Sequence, residues 1–159
     1  MTPREQEIIQ LIRKEVKPAL GCTEPIAVAL AVAKAMETAQ DNCSDLKGSW
    51  RYAADYMLSI QVSGNILKNG MGVGIPGTGM VGLHIAAALG AVCGKSSYGL
   101  EVLHDLDNAA ISKAKEIAQT VDISLAETDH KLYVKACVTL KNGHISCAVI
   151  EDDHDRIVE

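Results

Sequence analysis

Between Met80 and Cys93 the chain carries Ile85, Ala86, Ala87, Ala88, Leu89, Gly90, Ala91 and Val92, with His84 as the only ionisable side chain. A helix that is apolar all round has to be buried all round, so this run predicts a helix enclosed at the centre of a core. A second run, from Ile26 to about Gln40, is dominated by alanine and valine, with Leu30, Lys34, Met36 and Glu37 among them, and predicts another largely buried helix. The core they imply is made of small residues: 48% of the 159 residues are apolar, yet there are four tyrosines, one tryptophan and no phenylalanine. A chain of this length is expected to form a single domain, residues 1–159, with a substantial interior.

The remaining segments supply the partners of these helices. Ile8, Ile9, Leu11, Ile12 and Val16 recur at helical spacing among Glu and Lys, so an amphipathic helix is expected to start at Thr2-Pro3 and end at Pro18. Tyr56, Leu58, Ile60 and Val62 alternate with Met57, Ser59 and Gln61, the pattern of a half-buried strand. Leu106 to Ala118 reads as a further amphipathic helix and Ile123 to Glu127 as a short strand. Leu132 to Leu140 and His144 to Ile150 flank Asn142-Gly143, a strong hairpin signal. A two-residue turn there would set Leu140 opposite Ile145, Val138 opposite Cys147 and Ala136 opposite Val149, with Cys137 and Cys147 on opposite faces. The expected fold class is α+β, with alanine-rich helices packed on a small, largely antiparallel sheet.

Charge and cysteine usage narrow the functional classes. A formal charge of −5 without a cluster of lysine or arginine argues against a nucleic-acid surface and against binding to anionic membranes. The polar opening Met1 to Glu7 is no signal peptide, and no apolar run reaches membrane-spanning length, so a cytoplasmic location is expected. Cys22, Cys43, Cys93, Cys137 and Cys147 are odd in number and irregular in spacing, which fits neither a disulfide framework nor a zinc knuckle. They are expected to be reduced and for the most part buried. His154 among Asp152, Asp153 and Asp155 is read as a solvated end in preference to a metal site, since no turn-forming glycine accompanies it.

The stretch Lys68 to Met80 holds five glycines and Pro76 directly ahead of the buried run. Glycine permits positive φ and close backbone approach, and Thr78 is expected to cap a helix beginning at Met80. Amide N–H groups of Gly77, Thr78 and Gly79 at a helix start would suit a carboxylate or phosphate. Asn65, Lys68 and Asn69 on one turn could line the rim of the same site. The alternative is a plain tight connection between a strand and a helix. Gly72-Val73-Gly74-Ile75-Pro76-Gly77 has the form of a dinucleotide fingerprint, but Pro76 lies where the helix should form and a polar turn precedes it. Gly94-Lys95-Ser96 resembles the end of a phosphate-binding loop but lacks its first glycine.

In Pro18-Ala19-Leu20-Gly21-Cys22-Thr23-Glu24-Pro25, Gly21 should close one helix and Thr23 or Glu24 cap the next. Cys22 then sits just before a helix N-terminus, where the dipole favours a thiolate. It is the candidate reactive thiol, with a packing role as the alternative.

The segments Glu15 to Pro25, Leu67 to Val73, Ile75 to Gly82, Ala86 to Gly90 and Gly99 to Leu103 resemble the N-terminal part of the L-cysteine desulfidase family, which is related to the iron–sulfur L-serine dehydratase alpha chain. The likeness runs from about residue 8 to the end of the chain. It implies a cytoplasmic lyase that removes sulfide, or water in the serine enzymes, from an amino acid to leave pyruvate and ammonia. It also implies a four-iron four-sulfur cluster and no pyridoxal phosphate. The cysteine of the Gly-Cys-Thr-Glu-Pro motif corresponds to Cys22, as catalytic base or cluster-associated ligand. Family members are considerably longer, and their other cluster cysteines lie in a C-terminal half without counterpart here. The expected partners are therefore a small amino-acid substrate and a C-terminal half or separate subunit carrying those cysteines, with homo-oligomerisation left open. No metal or cluster is expected on this chain alone, and it is expected to be colourless and inactive by itself. A non-catalytic domain that binds a small molecule or anion, or serves in assembly, is the alternative.

Overall fold

The structure is a computed structural model that describes residues 1–15, 23–46, 48, 50–53, 56–75 and 77–158. Its first helix, α1 (Pro3–Glu15), opens on a reciprocal cap: the Thr2 hydroxyl accepts from the Glu5 N–H at 3.2 Å and the Glu5 carboxylate from the Thr2 N–H at 2.7 Å. Its apolar stripe is not packed away, since Ile8, Leu11 and Ile12 are 48%, 58% and 52% exposed. The expected end of this helix at Pro18 lies outside the described residues.

The body is organised around α2 (Thr23–Asn42), buried from Pro25 to Ala33 and again at Ala35, Met36 and Ala39. One side of α2 packs on the sheet and another on α5 (Leu83–Cys93), which in turn packs on α6 (Asn108–Ala118). The all-round apolar run thus forms a buried helix as expected, while α2 takes the place between sheet and helices. Alanine faces bring the two helices very close. A Cβ at Gly90 would lie 2.9 Å from Ala29 Cα and 3.0 Å from Ala29 C, so any side chain here would force the two helices apart. Polar pins tie the helix ends: Glu37 accepts from the Ser96 N–H at 2.9 Å and from the Ser96 hydroxyl, and Arg51, on the short helix α3 (Trp50–Ala53), donates to Gly94 O at 2.9 Å.

The main sheet has the order β4-β1-β5-β6, from β1 (Tyr56–Val62), β4 (Asp122–Leu125), β5 (Tyr133–Leu140) and β6 (Ile145–Glu151). β1 pairs antiparallel with β5 and parallel with β4, and β5 with β6 is antiparallel, so the fold is α+β with a largely antiparallel sheet. Leu58, Ile60, Val62, Val134, Ala136, Val138, Ala148 and Ile150 face the core.

The hairpin differs from expectation in one residue of register. Leu140 N–H donates to His144 O at 2.9 Å, Gly143 N–H donates to Leu140 O at 2.9 Å, and Gly143 has φ 90°. Three residues, Lys141 to Gly143, therefore form the loop, with glycine in the left-handed position that such loops demand. Cys137 faces Cys147, Val138 faces Ser146 and Ala136 faces Ala148. A shift of one residue turns β6 over: Ile145 is 59% exposed and Ser146 is 4% exposed, its hydroxyl 3.0 Å from His144 Nε2. Cys137 and Cys147, expected on opposite faces and reduced, share a face and are joined by a disulfide.

Candidate functional site

The helix expected from Met80 starts at Leu83 instead. Gly74–Ile75 and Met80–Val81 form a small antiparallel ribbon, β2 and β3, and Gly82 with φ 101° leads into α5. Thr78 does not cap a helix. Its hydroxyl donates to Ile75 O at 2.6 Å and accepts from the Met80 N–H at 3.0 Å, and its own N–H donates to Ile75 O at 3.2 Å, which closes the turn on itself. Gly77 and Gly79 take positive φ, 82° and 68°, to make that turn. The expected convergence of Gly77, Thr78 and Gly79 on a helix dipole is therefore not formed, because β3 and Gly82, three residues in all, separate the turn from α5.

Asn65 and Asn69 go elsewhere. They lie one turn apart on α4 (Gly64–Gly70), and together with Ile66 they line a pocket of about 220 Å³ completed by Glu24, Lys131, Leu132 and His154. Lys68, on the same helix, is exposed and outside it. The pocket is assembled by Ser63, 2% exposed at the junction of β1 and α4. Its hydroxyl donates to Lys131 O at 2.9 Å and accepts from the Tyr133 N–H at 3.2 Å, and its N–H donates to Tyr133 O at 2.9 Å. These bonds fully engage a buried polar side chain and fix α4 against the strand leading into β5.

The fourth wall comes from the C-terminal tail. Asp152, at φ 68°, sends its N–H to Leu132 O at 3.0 Å, and Ile157 forms a bridge with Ile150, so the chain doubles back along β6. His154 is thereby brought to Glu24, Nε2 to carboxylate 4.0 Å. Glu24 stands in the first turn of α2, where the positive end of the dipole favours its charge. The expected solvated acid end is partly corrected by this: His154 faces the pocket, while Asp152 pairs with Arg156 at 3.1 Å and with His130 Nδ1 at 2.7 Å. His130, Glu151 and Asp152 bring their ligand atoms within 4.8 Å of one another, but the ion pair of Asp152 with Arg156 already balances part of that charge.

Cys22, the candidate thiol, lies outside the described residues; α2 begins at the next residue, Thr23. The other cysteines do not converge. Cys43 is buried at the end of α2, Cys93 is half-buried at the end of α5, and Cys137 and Cys147 are bonded to each other. Burial pushes the Cys93 thiol up to about 11, with Asp107 and Asp105 adding to the shift. Among the described residues, then, the donors for a four-iron cluster are not present at one place.

A larger cavity of about 460 Å³ opens beside Tyr56, Ile117 and Leu140. It contains none of the motif residues, and Lys113 on its wall pairs with Glu116 at 3.6 Å. The 220 Å³ pocket is the better candidate because two sequence motifs meet in it. Lys131, Leu132 and His154 escaped sequence reasoning, and only the histidine among acids gave any local signal.

Over 154 residues the chain is 46% identical to a UPF0597 protein of Parabacteroides distasonis, covering 96% of this chain and 33% of that protein. A UPF0597 protein of Phocaeicola vulgatus is 45% identical over 159 residues, covering 98% and 34%, and one of Aeromonas salmonicida 43% over 152 residues, covering 96% and 32%. The chain thus spans about a third of the length of these curated relatives. No protein-family model matches it. No helix among the described residues is long and apolar enough to cross a membrane.

Proposed function

We propose that this chain supplies the amino-acid-holding part of a lyase that eliminates sulfide from L-cysteine, or water from L-serine, to leave pyruvate and ammonia. The observation that carries this reading is the meeting in one pocket of Glu24, from the Gly-Cys-Thr-Glu-Pro motif, with Asn65 and Asn69. The charges on its walls suit a zwitterion. Glu24 complements an α-ammonium, Lys131 complements an α-carboxylate, and the two amides can bond to either. His154 stands beside Glu24 on the pocket wall, its Nε2 4.0 Å from the carboxylate. Cys22 precedes Glu24 by two residues and is the proposed reactive thiol, as base or as cluster-associated ligand.

The described cysteines do not fit a four-iron four-sulfur cluster. Its ligands would have to come from a C-terminal half or a partner subunit, with Cys22 the candidate from this chain. The same separation of cysteines favours a second reading, a domain that binds an amino acid or anion without turnover.

Titrating L-serine into isotopically labelled protein tests the site. Amide shifts at Asn65, Asn69 and Lys131, weakened by Lys131→Ala or Glu24→Gln, are expected; binding that leaves those residues unmoved removes the reading. A Cys22 thiol titrating well below a free cysteine separates the lyase from the binding domain.

A further inference from the structure

We infer that Cys137 and Cys147 form a thiol–disulfide exchange site for small thiols on the open face of the main sheet. The two residues are direct cross-strand partners, Cα atoms 4.1 Å apart, and both side chains are half-exposed. They point away from α2, which packs on the opposite face, where Val138, Ala136 and Ala148 are buried. On their own face Ser59 lies beside Cys137 on β1, with Gln61 and Met57 on either side of it, all exposed. Ile145, next to Cys147 along β6, is also exposed. Val149, on the other side of Cys147 along β6, is buried, so the approach for a small thiol is from the side of Ser59, Met57 and Ile145, where the neighbours of the bond are exposed.

The strands do not depend on the bond for their position. β5 is hydrogen-bonded to β1 on its far side, β6 is flanked by the returning tail through the Ile150–Ile157 bridge, and Val134, Ala136, Val138, Ala148 and Ile150 anchor both in the core. Opening the disulfide therefore leaves the two sulfurs opposite each other, ready to close again. Cys43, buried at the end of α2, has no such access.

The chemistry balances with glutathione as co-reactant. A glutathione thiolate attacks one sulfur, the Cys137–Cys147 bond breaks, and the other cysteine leaves as a thiolate that takes up a proton. A second glutathione thiolate then displaces the first protein sulfur from the mixed disulfide, giving oxidised glutathione and two protein thiols, a transfer of two electrons; closure is the reverse. The inference is independent of the proposed lyase role, since neither cysteine touches the 220 Å³ pocket.

The test uses the folded chain in glutathione buffers of graded ratio, quenched by alkylation and read by peptide mass spectrometry. Cys137 and Cys147 are expected to gain and lose their adducts together as one two-electron couple, with Cys43 unlabelled and far-UV circular dichroism unchanged. Cys147→Ser should leave Cys137 able to carry one glutathione. A bond that resists excess reduced glutathione until denaturant is added overturns the inference. So does a pair that stays as two free thiols under oxidised glutathione. Both readouts are made on the unsubstituted chain, so they stand even if the serine variant folds poorly.

Discussion

Gly90→Ala is the sharpest probe of the packing that holds this fold together. On an isolated helix the change would be favourable by about 1 kcal/mol. Here the added methyl would meet the backbone of Ala29 on α2, 2.9 Å from Cα and 3.0 Å from the carbonyl carbon. That is roughly 0.5–1.1 Å inside the 3.5–4.0 Å separation that carbon atoms prefer. No side-chain rotation can relieve it, because the obstacle is main chain; the two helices must move apart. Overpacking of this kind costs about 1–3 kcal/mol where neighbours can yield, and with two buried helix faces involved the upper end applies. Subtracting the propensity gain leaves a net loss of about 2 kcal/mol, which for a chain of this size lowers Tm by about 4–8 °C. Thermal and urea unfolding of the two proteins measure it. Gly74→Ala is the control, since a Cβ there meets nothing within 4 Å and should shift stability by less than about 0.5 kcal/mol. A Gly90→Ala protein as stable as the parent would refute the close approach of α2 and α5.

Reducing the Cys137–Cys147 bond, which closes a loop with a sequence separation of 10, should cost about 2.7 kcal/mol on the chain-entropy model, visible as a lower urea midpoint in reductant with the fold retained. Asp107 caps α6 by accepting from the Ala110 N–H at 2.8 Å, so Asp107→Ala should destabilise by about 0.5–2 kcal/mol, and chemical denaturation checks it. The His130 imidazole is held above its ordinary 6.5 chiefly by its hydrogen bond to Asp152, against the opposing effect of burial and with the charges of Asp152, Glu151 and Asp129 adding to the rise. Its folded-state value is thus the higher one, so its contribution to stability is complete below the unfolded value and is lost as pH rises through the folded value. An NMR titration should show a midpoint above 6.5 that drops in Asp152→Asn, and an unchanged midpoint would contradict the contact.

What was legible in the sequence follows from how local its cause is. Tyr56–Val62 is a strand with the expected bounds because its alternation is written into seven consecutive residues, and it packs one face inward as the alternation requires. The buried runs at α2 and α5 are equally explicit, since an apolar helix has no exposed option. Asn142-Gly143 marked the hairpin but not its register, because the same dipeptide serves loops of two or three residues. The apolar pattern could not decide between them: turning β6 over exchanges Ile145 for Ser146 inside, and that exchange is tolerable only because His144 supplies the buried hydroxyl with a partner. Thr78 misled for a similar reason, since a hydroxyl ahead of an apolar run fits a helix cap and a closed turn alike, and it is the antiparallel pairing of Gly74–Ile75 with Met80–Val81 that selects the turn. The pocket shows where such reading ends. Asn65 and Asn69 share a helix face by their spacing alone, but what they face is set by Ser63 reaching Lys131 and Tyr133 and by Asp152 reaching Leu132. Each of those bonds joins residues far apart in sequence and ends on a main-chain atom that every residue possesses, so no residue type announces the partner. The chemistry of a motif can therefore be read from the chain, while the company it keeps depends on backbone bonds that composition and spacing do not encode.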